Sequence, residues 1–395
     1  MRRPRILLGL TGSVGSAVAD KIFFSLSNVG EVKIVTTKWA EEFYDFDFLS
    51  ELSSVTWFKD EHEWMFRKDN TVDDWDHPTI SFPGLDGDCK VSDFWTKGDP
   101  VLHIELRKWA DVMVIAPLSA NTLAKAANGM CDNLLTSVIR AWEPHKPMVI
   151  APAMDTVMWE SPFTEEHIGS LRSIFPLTTV GPVSKGLVYG DEGMGALAHA
   201  DDIAASTKEA LRWQFPIDYH WTRGVPTGHH PGAFGFQRKH DVHDGVDIYV
   251  PEFLERGDAQ VRVKAVEPGT VIAVEHFTGP QIGMPWWEYT DVVLVEGKSG
   301  IVGYGEIRPR VEVGRKLRRG DEVGWVTEVL KHRKRREDIP GHSRRMLHLA
   351  LYEPGHRDWK AWTVGADVDD HVDPTPLLQD SIGWPGRLPE FEGEL

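Results

Sequence analysis

Short apolar runs alternate with amphipathic stretches through the first half of the chain. Runs at 6–10, 32–35, 112–116, 148–151 and 178–180 are each bounded by turn residues. Their lack of polar alternation fits strands of a parallel sheet covered on both faces. Between the first two runs, Val18, Ile22 and Leu26 form one stripe with Ala19 and Phe23 beside it, which is the spacing of a helix with one buried face. A second helix is expected after the turn at Asn121. A last one, capped by Asp201 and Asp202, is expected to end near Phe215, before Pro216. Strand and helix in alternation predict a doubly wound, three-layer α/β domain over residues 1–216. Residues 59–95 are rich in Asp, Trp, His, Pro and Gly and hold no sustained period, so they read as an insertion, either a surface lid or an oligomer contact.

The texture then changes. Residues 217–232 carry Gly, Pro and His and read as a linker. Beyond them, alternating runs at 261–265, 271–274, 292–295 and 322–326 are separated by Gly-containing turns. This predicts an all-β sandwich or barrel over residues 233–395. The Pro/Asp/Trp-rich tail from about 354 is expected to wrap that domain or to be partly disordered.

Composition narrows the function classes. A chain of 395 residues favours two domains. Its net charge of −17 argues against general nucleic-acid or anionic-membrane binding, and the basic run 331–336 reads as a solvated loop. Two cysteines, Cys89 and Cys131, give no disulfide framework. The apolar run near the N-terminus is too short for an export signal, and no stretch approaches membrane-spanning length. These features together suggest a soluble, cytoplasmic protein.

Three turns carry candidate chemistry. Gly9, Gly12 and Gly15, with Ser13 and Ser16, join the first strand to a helix. Backbone N–H groups and small hydroxyls at a helix start can cradle a phosphate, although a tight turn needs glycine anyway. The full dinucleotide pattern GxGxxG is absent, which counts against NAD. Ser119, Asn121 and Thr122 follow the strand at 112–116; they either donate to a ring carbonyl or phosphate, or cap a helix. Met154 and Asp155 end the next strand, where Asp155 also fits a cap. His103 is expected at the mouth of an apolar strand, as a catalyst or as a structural histidine.

Residues 100–142, PVLHIELRKWADVMVIAPLSANTLAKAANGMCDNLLTSVIRAW, closely resemble the phosphopantothenoylcysteine decarboxylases of plant and animal type. These belong to the homo-oligomeric flavin-containing cysteine decarboxylases. The resemblance runs from residue 5 to about 212, interrupted at 59–95, and three separated motifs agree in order. It implies FMN bound between subunits of a homotrimer, with a small-molecule or peptidyl-cysteine substrate. Gly12, Ser13 and Val14 match the phosphate-side turn, Thr37 a flavin-contacting hydroxyl, and Ser119, Ala120, Asn121 and Thr122 the flavin-site turn. His103 matches the catalytic base. In that family the flavin oxidises a cysteine moiety, and the resulting thioaldehyde loses CO₂. Two positions depart from the pattern. Asp155 replaces an Asn that holds the substrate carboxylate beside Met154, and like charges about 4 Å apart repel by roughly 1–4 kcal/mol. Tyr189 replaces a Cys that returns a proton to the enethiol, with a side-chain pKa near 10 rather than about 8.5. The product is then expected to stop at the enethiol.

In the second half, His243 and Asp247 lie four residues apart, and His348 sits on a later apolar run. Two His and one Asp suit a zinc ion with an open fourth position; a pair of structural histidines is the other reading. The order of motifs from Phe234 to His348, including Tyr304-Gly305 and Leu347-His348-Leu349, resembles the lysostaphin-type zinc endopeptidases over about 233–352. That resemblance implies His243, Asp247 and His348 as zinc ligands. Glu306 and Met346 stand where that family has its two catalytic histidines; Met cannot deprotonate the water, a carboxylate such as Glu306 can, and the expectation is a zinc-binding or vestigial unit serving interaction rather than hydrolysis. The reading of the whole chain is an FMN-dependent decarboxylase acting on a cysteine-type substrate. The alternatives are a catalytically impaired flavoprotein scaffold and a zinc hydrolase in the second domain.

Overall fold

The computed structural model describes residues 2–47, 49, 55–64, 66–68, 89–91, 100–186, 192–217, 225–237, 242–250, 261–280, 285, 287–329, 345–355 and 371–381. The chain divides into two compact units, residues 3–211 and 212–395.

In the first unit, strands β1 (Arg5–Leu10), β2 (Glu31–Thr36), β3 (Trp57–Phe58), β6 (Val112–Leu118), β7 (Met148–Pro152) and β8 (Leu177–Thr179) form one parallel sheet in the order β3-β2-β1-β6-β7-β8. Successive side chains along a strand serve opposite faces, and both faces are covered. Leu7, Met113, Ile115, Met148 and Ile150 enter one core, while Ile6, Leu8, Val112, Val114 and Val149 enter the other. This double burial removes the polar alternation from each strand. One core is closed by helices α3 (Leu102–Trp109), α4 (Ala120–Ala127), α5 (Leu134–Ala141) and α7 (Pro162–Ile174). The other is closed by α1 (Ala19–Ser27) and α8 (Ala200–Leu211). Each fully buried aliphatic side chain here is worth about 1.5–3 kcal/mol.

Two expectations are corrected. His103 lies in the first turn of α3, not at a strand mouth. Leu102, Leu106 and Trp109 recur at helical spacing and are all buried. The last helix begins at Ala200, so Asp201 and Asp202 occupy its first turn instead of capping it, and it ends at Leu211. Trp213 prolongs the apolar pattern but belongs to the core of the second unit, where its Nε1 donates to Glu267 at 2.9 Å. Within the stretch 59–95, residues Asp60–Trp64 form a 3-10 turn, and β4 (Phe66–Lys68) pairs antiparallel with β5 (Cys89–Val91).

The second unit is built on one antiparallel sheet of eight strands: β11 (Gly245–Tyr249), β12 (Arg262–Lys264), β13 (Gly269–Thr278), β14 (Thr290–Gly297), β15 (Gly300–Pro309), β16 (Lys316–Leu317), β17 (Glu322–Val326) and β18 (Met346–Tyr352). Alternation again divides its residues: Val293, Val295 and Leu349 face one core, and Leu294 and Ala350 the other. The register sets Asp247 opposite His348, and His348 opposite Gly305. Part of the tail packs on this sheet. Val372 N donates to Leu351 O at 2.8 Å, and Leu378 of the helix Thr375–Ser381 is fully buried. The basic run 331–336 lies outside the described residues. Among the described residues no helix is long and apolar enough to cross a membrane.

Candidate active site and metal centre

The order β2-β1-β6-β7 makes a switch point between β1 and β6, because the chain leaves β1 for one side and later returns on the other. Open α/β sheets bind ligands at the carboxyl edge of such a point, and here three turns meet at that edge. Thr11, fully buried, ties two of them: its Oγ1 donates to Pro117 O at 2.8 Å and accepts from Ser119 N at 2.8 Å. Ser13 Oγ donates to Ala153 O at 3.3 Å and brings in the third. A Cβ at residue 12 would stand 2.5 Å from Trp39 Cβ, so only glycine allows this approach.

The turns enclose a cleft of about 540 Å³, within the roughly 300–1,000 Å³ usual for small-molecule sites. Gly12, Ser13, Thr37 and Met154 line it, together with the whole turn from Ser119 to Thr122. Val14 is 57% exposed and does not line it, and neither do His103 and Asp155. Sequence reasoning did not assign Lys38, Trp39, Asp60, Lys125, Asp132, Asn133 or Met158 to the site, and these also line the cleft. Lys125, Asp132 and Asn133 lie within the stretch 100–142 that carries the family likeness, whereas Lys38, Trp39 and Asp60 belong to no motif.

Local folding explains each polar group. Ser119 is the N-cap of α4, its hydroxyl accepting from Thr122 N at 3.3 Å, so the start of α4 opens on the cleft. Asn133 caps α5 with a reciprocal bond from Thr136. Asp60 accepts from Leu134 N at 3.0 Å at the start of α5; burial, with Asp132 nearby, pushes its carboxyl up against the lowering effect of the Leu134 and Lys38 backbone N–H groups. Asp155 caps the short helix Thr156–Trp159, its Oδ1 accepting from Val157 N at 2.9 Å. Capping is thus what Ser119 and Asp155 visibly do. Tyr189 lies outside the described residues.

His103 is paired instead. Its Nδ1 contacts Glu63 Oε1 on the 3-10 turn, across 40 residues of sequence. Glu63 is 7% exposed. Burial raises its carboxyl, and the side chain and backbone N–H of His103 lower it in turn.

Within the second unit, three buried donors meet. His243 Nε2 is 3.1 Å from Asp247 Oδ1 and 3.3 Å from His348 Nδ1, and the last two atoms are 2.9 Å apart. A tetrahedral ion with bonds of about 2.0–2.1 Å sets its ligand atoms about 3.3–3.4 Å apart. The triangle needs only a few tenths of an ångström of expansion to hold one, so these residues fit zinc. His243 Nδ1 donates to Ala233 O at 2.8 Å, which turns Nε2 inward. Gly245 is required because a Cβ there would meet the His348 ring at 2.7 Å. Asp244 brings a second carboxylate, its Oδ1 3.3 Å from His348 Nε2 and its Oδ2 3.5 Å from His371 Nε2. Asp244 also comes within 4.8 Å of the His243 and His348 donors; the triangle through Asp247 is the tighter set. Burial lowers the His348 imidazole, but Asp244 and Asp247 outweigh it and hold its pKa at about 10. Beside it, Glu306 is the only non-glycine with positive φ among the described residues, at 64°. Thr327 steadies that strained peptide, its N and Oγ1 donating to Glu306 O at 3.1 and 3.0 Å.

Residues 1–212 match the family described as Flavoprotein. The chain is 43% identical over 214 residues to a probable phosphopantothenoylcysteine decarboxylase of Arabidopsis thaliana, which spans 54% of this chain and 90% of that protein. It is 40% identical over 212 residues to the phosphopantothenoylcysteine decarboxylase of Mus musculus, spanning 53% and 88%. A solved structure of a PPC decarboxylase mutant complexed with pantothenoylaminoethenethiol is 42% identical, covers 53% of this chain and 98% of that one, and has a TM-score of 0.44. The match ends where the parallel-sheet unit ends, and on it the chain belongs to the Flavoprotein family, its first 212 residues being phosphopantothenoylcysteine decarboxylase-like.

Proposed function

We propose that the first unit binds FMN and decarboxylates a cysteine-type substrate. The observation that carries this is the cleft at the switch point, lined by the same turns that carry the family likeness. The start of α4 and the hydroxyls of Ser13, Thr37 and Thr122 suit a phosphate or ring carbonyl, while Trp39 and Met154 offer flat and apolar surface to a ring system. When bound, FMN supplies an electron sink next to the substrate. His103 takes the substrate proton, because the cysteine moiety must lose one as it is oxidised. Its absence from the cleft wall supports a site completed by a second subunit, as expected for a trimer. The enethiol remains the expected product on the strength of Tyr189, and product mass would decide it.

Purified protein should be yellow, and denaturation should release FMN rather than FAD. A colourless chain that takes up no FMN on reconstitution would end this reading. Mass photometry should give a multiple of three chains; a monomer that holds FMN at micromolar concentration would reject the trimer.

A second reading concerns the other unit. We propose that His243, Asp247 and His348 hold one zinc ion, supported by their donor triangle. Zinc there would keep one position open for water. Met346 has no group that can take a proton from that water, which leaves Glu306 as the one candidate base at the two positions; binding rather than hydrolysis is the reading proposed for the unit.

A further inference from the structure

We propose that Glu63 is a positioning residue for His103, holding the ring by Nδ1 so that Nε2 is the nitrogen that reacts. This rests on the reading of His103 as the base.

The two ring nitrogens are unequal in the structure. Nδ1 is engaged by Glu63 Oε1, whereas Nε2 has no hydrogen-bond partner among the described residues, and the side chain is 23% exposed. An ionised Glu63 can only accept, so the bond requires Nδ1 to carry the hydrogen. A neutral ring then bears its lone pair on Nε2. Glu63 thereby selects the tautomer as well as the ring's direction.

A purely structural role is the competing account. Val101, the N-cap of α3, makes no side-chain capping bond, and the backbone N–H of His103 lies beside the Glu63 carboxylate. A capping role for Glu63 would be to accept from that N–H. Capping alone explains the placement poorly, however. Glu63 is almost fully buried, and its Oε2 has no partner among the described residues. A buried carboxylate with one oxygen unsatisfied costs more than a neutral or exposed cap. A carboxylate that accepts at Nδ1 fixes the tautomer of the ring, whereas a helix start is capped equally well by a neutral group.

Glu63→Gln separates the two roles. The amide oxygen still accepts from a backbone N–H, so a cap survives. The same amide can also turn its NH₂ toward Nδ1, so tautomer selection is lost. The full chain, labelled with ¹⁵N-histidine, would be examined by two-bond proton–nitrogen spectra at a pH where His103 is neutral, with His103→Ala used to assign its signals. Wild type should show the Nδ1–H form. Glu63→Gln should show a mixture, or the Nε2–H form, with unchanged thermal melting and FMN content. Its kcat should fall at least about tenfold, with KM within about twofold. An Nε2–H tautomer in wild type, or a Glu63→Gln spectrum and kcat equal to wild type, would overturn the proposal. If His103→Ala turns over normally, the parent reading of His103 fails instead, whatever the spectra show.

Discussion

Replacing His103 with alanine should lower the decarboxylation rate by about 10²–10⁴-fold, the usual contribution of a positioned acid–base group, and should leave FMN content unchanged. The separation follows from where the residue sits. His103 is in the first turn of α3, whereas the cleft is made by turns after β1, β2, β6 and β7. Those turns are held together by Thr11, Ser13 and Ser119, none of which bonds His103. Nor should the fold suffer greatly. The side chain is 23% exposed, so truncation opens a surface notch and not a closed void in the core. The main structural cost is that Glu63 loses its ring partner, which is why melting should be recorded beside activity. Flavin absorbance gives occupancy, and CO₂ release from phosphopantothenoylcysteine or a peptide ending in cysteine gives turnover. A variant that keeps its flavin and turns over within a few-fold of wild type would remove His103 from the mechanism.

Parts of this arrangement were legible in the sequence for a simple reason. The sheet strands are buried on both faces, so runs such as 6–10 and 112–116 stand out as unbroken apolar stretches. The turns at residues 12 and 119–122 follow directly from those strands, and their place at one edge comes with parallel topology. His103 was set on the wrong element because Val101 and Ile104 suggest a strand, although Leu102, Leu106 and Trp109 already describe a helical stripe. The same helical period marks α5 in Leu134, Leu135, Val138 and Ile139, all of them buried. The remaining site residues could not be found by pattern at all. Asp60 reaches Leu134 across 74 residues and Glu63 reaches His103 across 40, both from a stretch whose composition resembles a loop. In the second unit, period 2 does not bring His243 and Asp247 together. His243 precedes β11 and is turned inward by Ala233 O, a contact that no local spacing encodes.

Zinc should bind the second unit at one equivalent per chain, and His348→Ala or Asp247→Ala should abolish that binding. Each of the three donors is one corner of a triangle whose sides are no longer than 3.3 Å, so loss of any one leaves two ligands and more water around the ion. Structural zinc sites reach apparent binding energies of about 10–16 kcal/mol, and a two-ligand remnant falls far short of that. His348→Gln is the companion variant. It refills much of the space that alanine would empty beside Gly245 and Phe277, so a loss of zinc there is not a loss of fold. The two aspartates decide the ligand set. If Asp247 coordinates and Asp244 acts behind His348, Asp244→Ala should weaken binding by about 10–100-fold, whereas Asp247→Ala should remove it. Elemental analysis after reconstitution gives stoichiometry, and chelator competition gives affinity. Melting provides an independent reading: free zinc at about 1,000 times its dissociation constant adds about 4 kcal/mol to a state that binds it, so the wild-type transition should rise while those of the His348 variants stay fixed. Equal zinc in wild type and His348→Ala would place the ion elsewhere. A wild-type chain that retains no zinc after reconstitution would mean that the triangle is a buried network of two histidines and a carboxylate, not a metal centre.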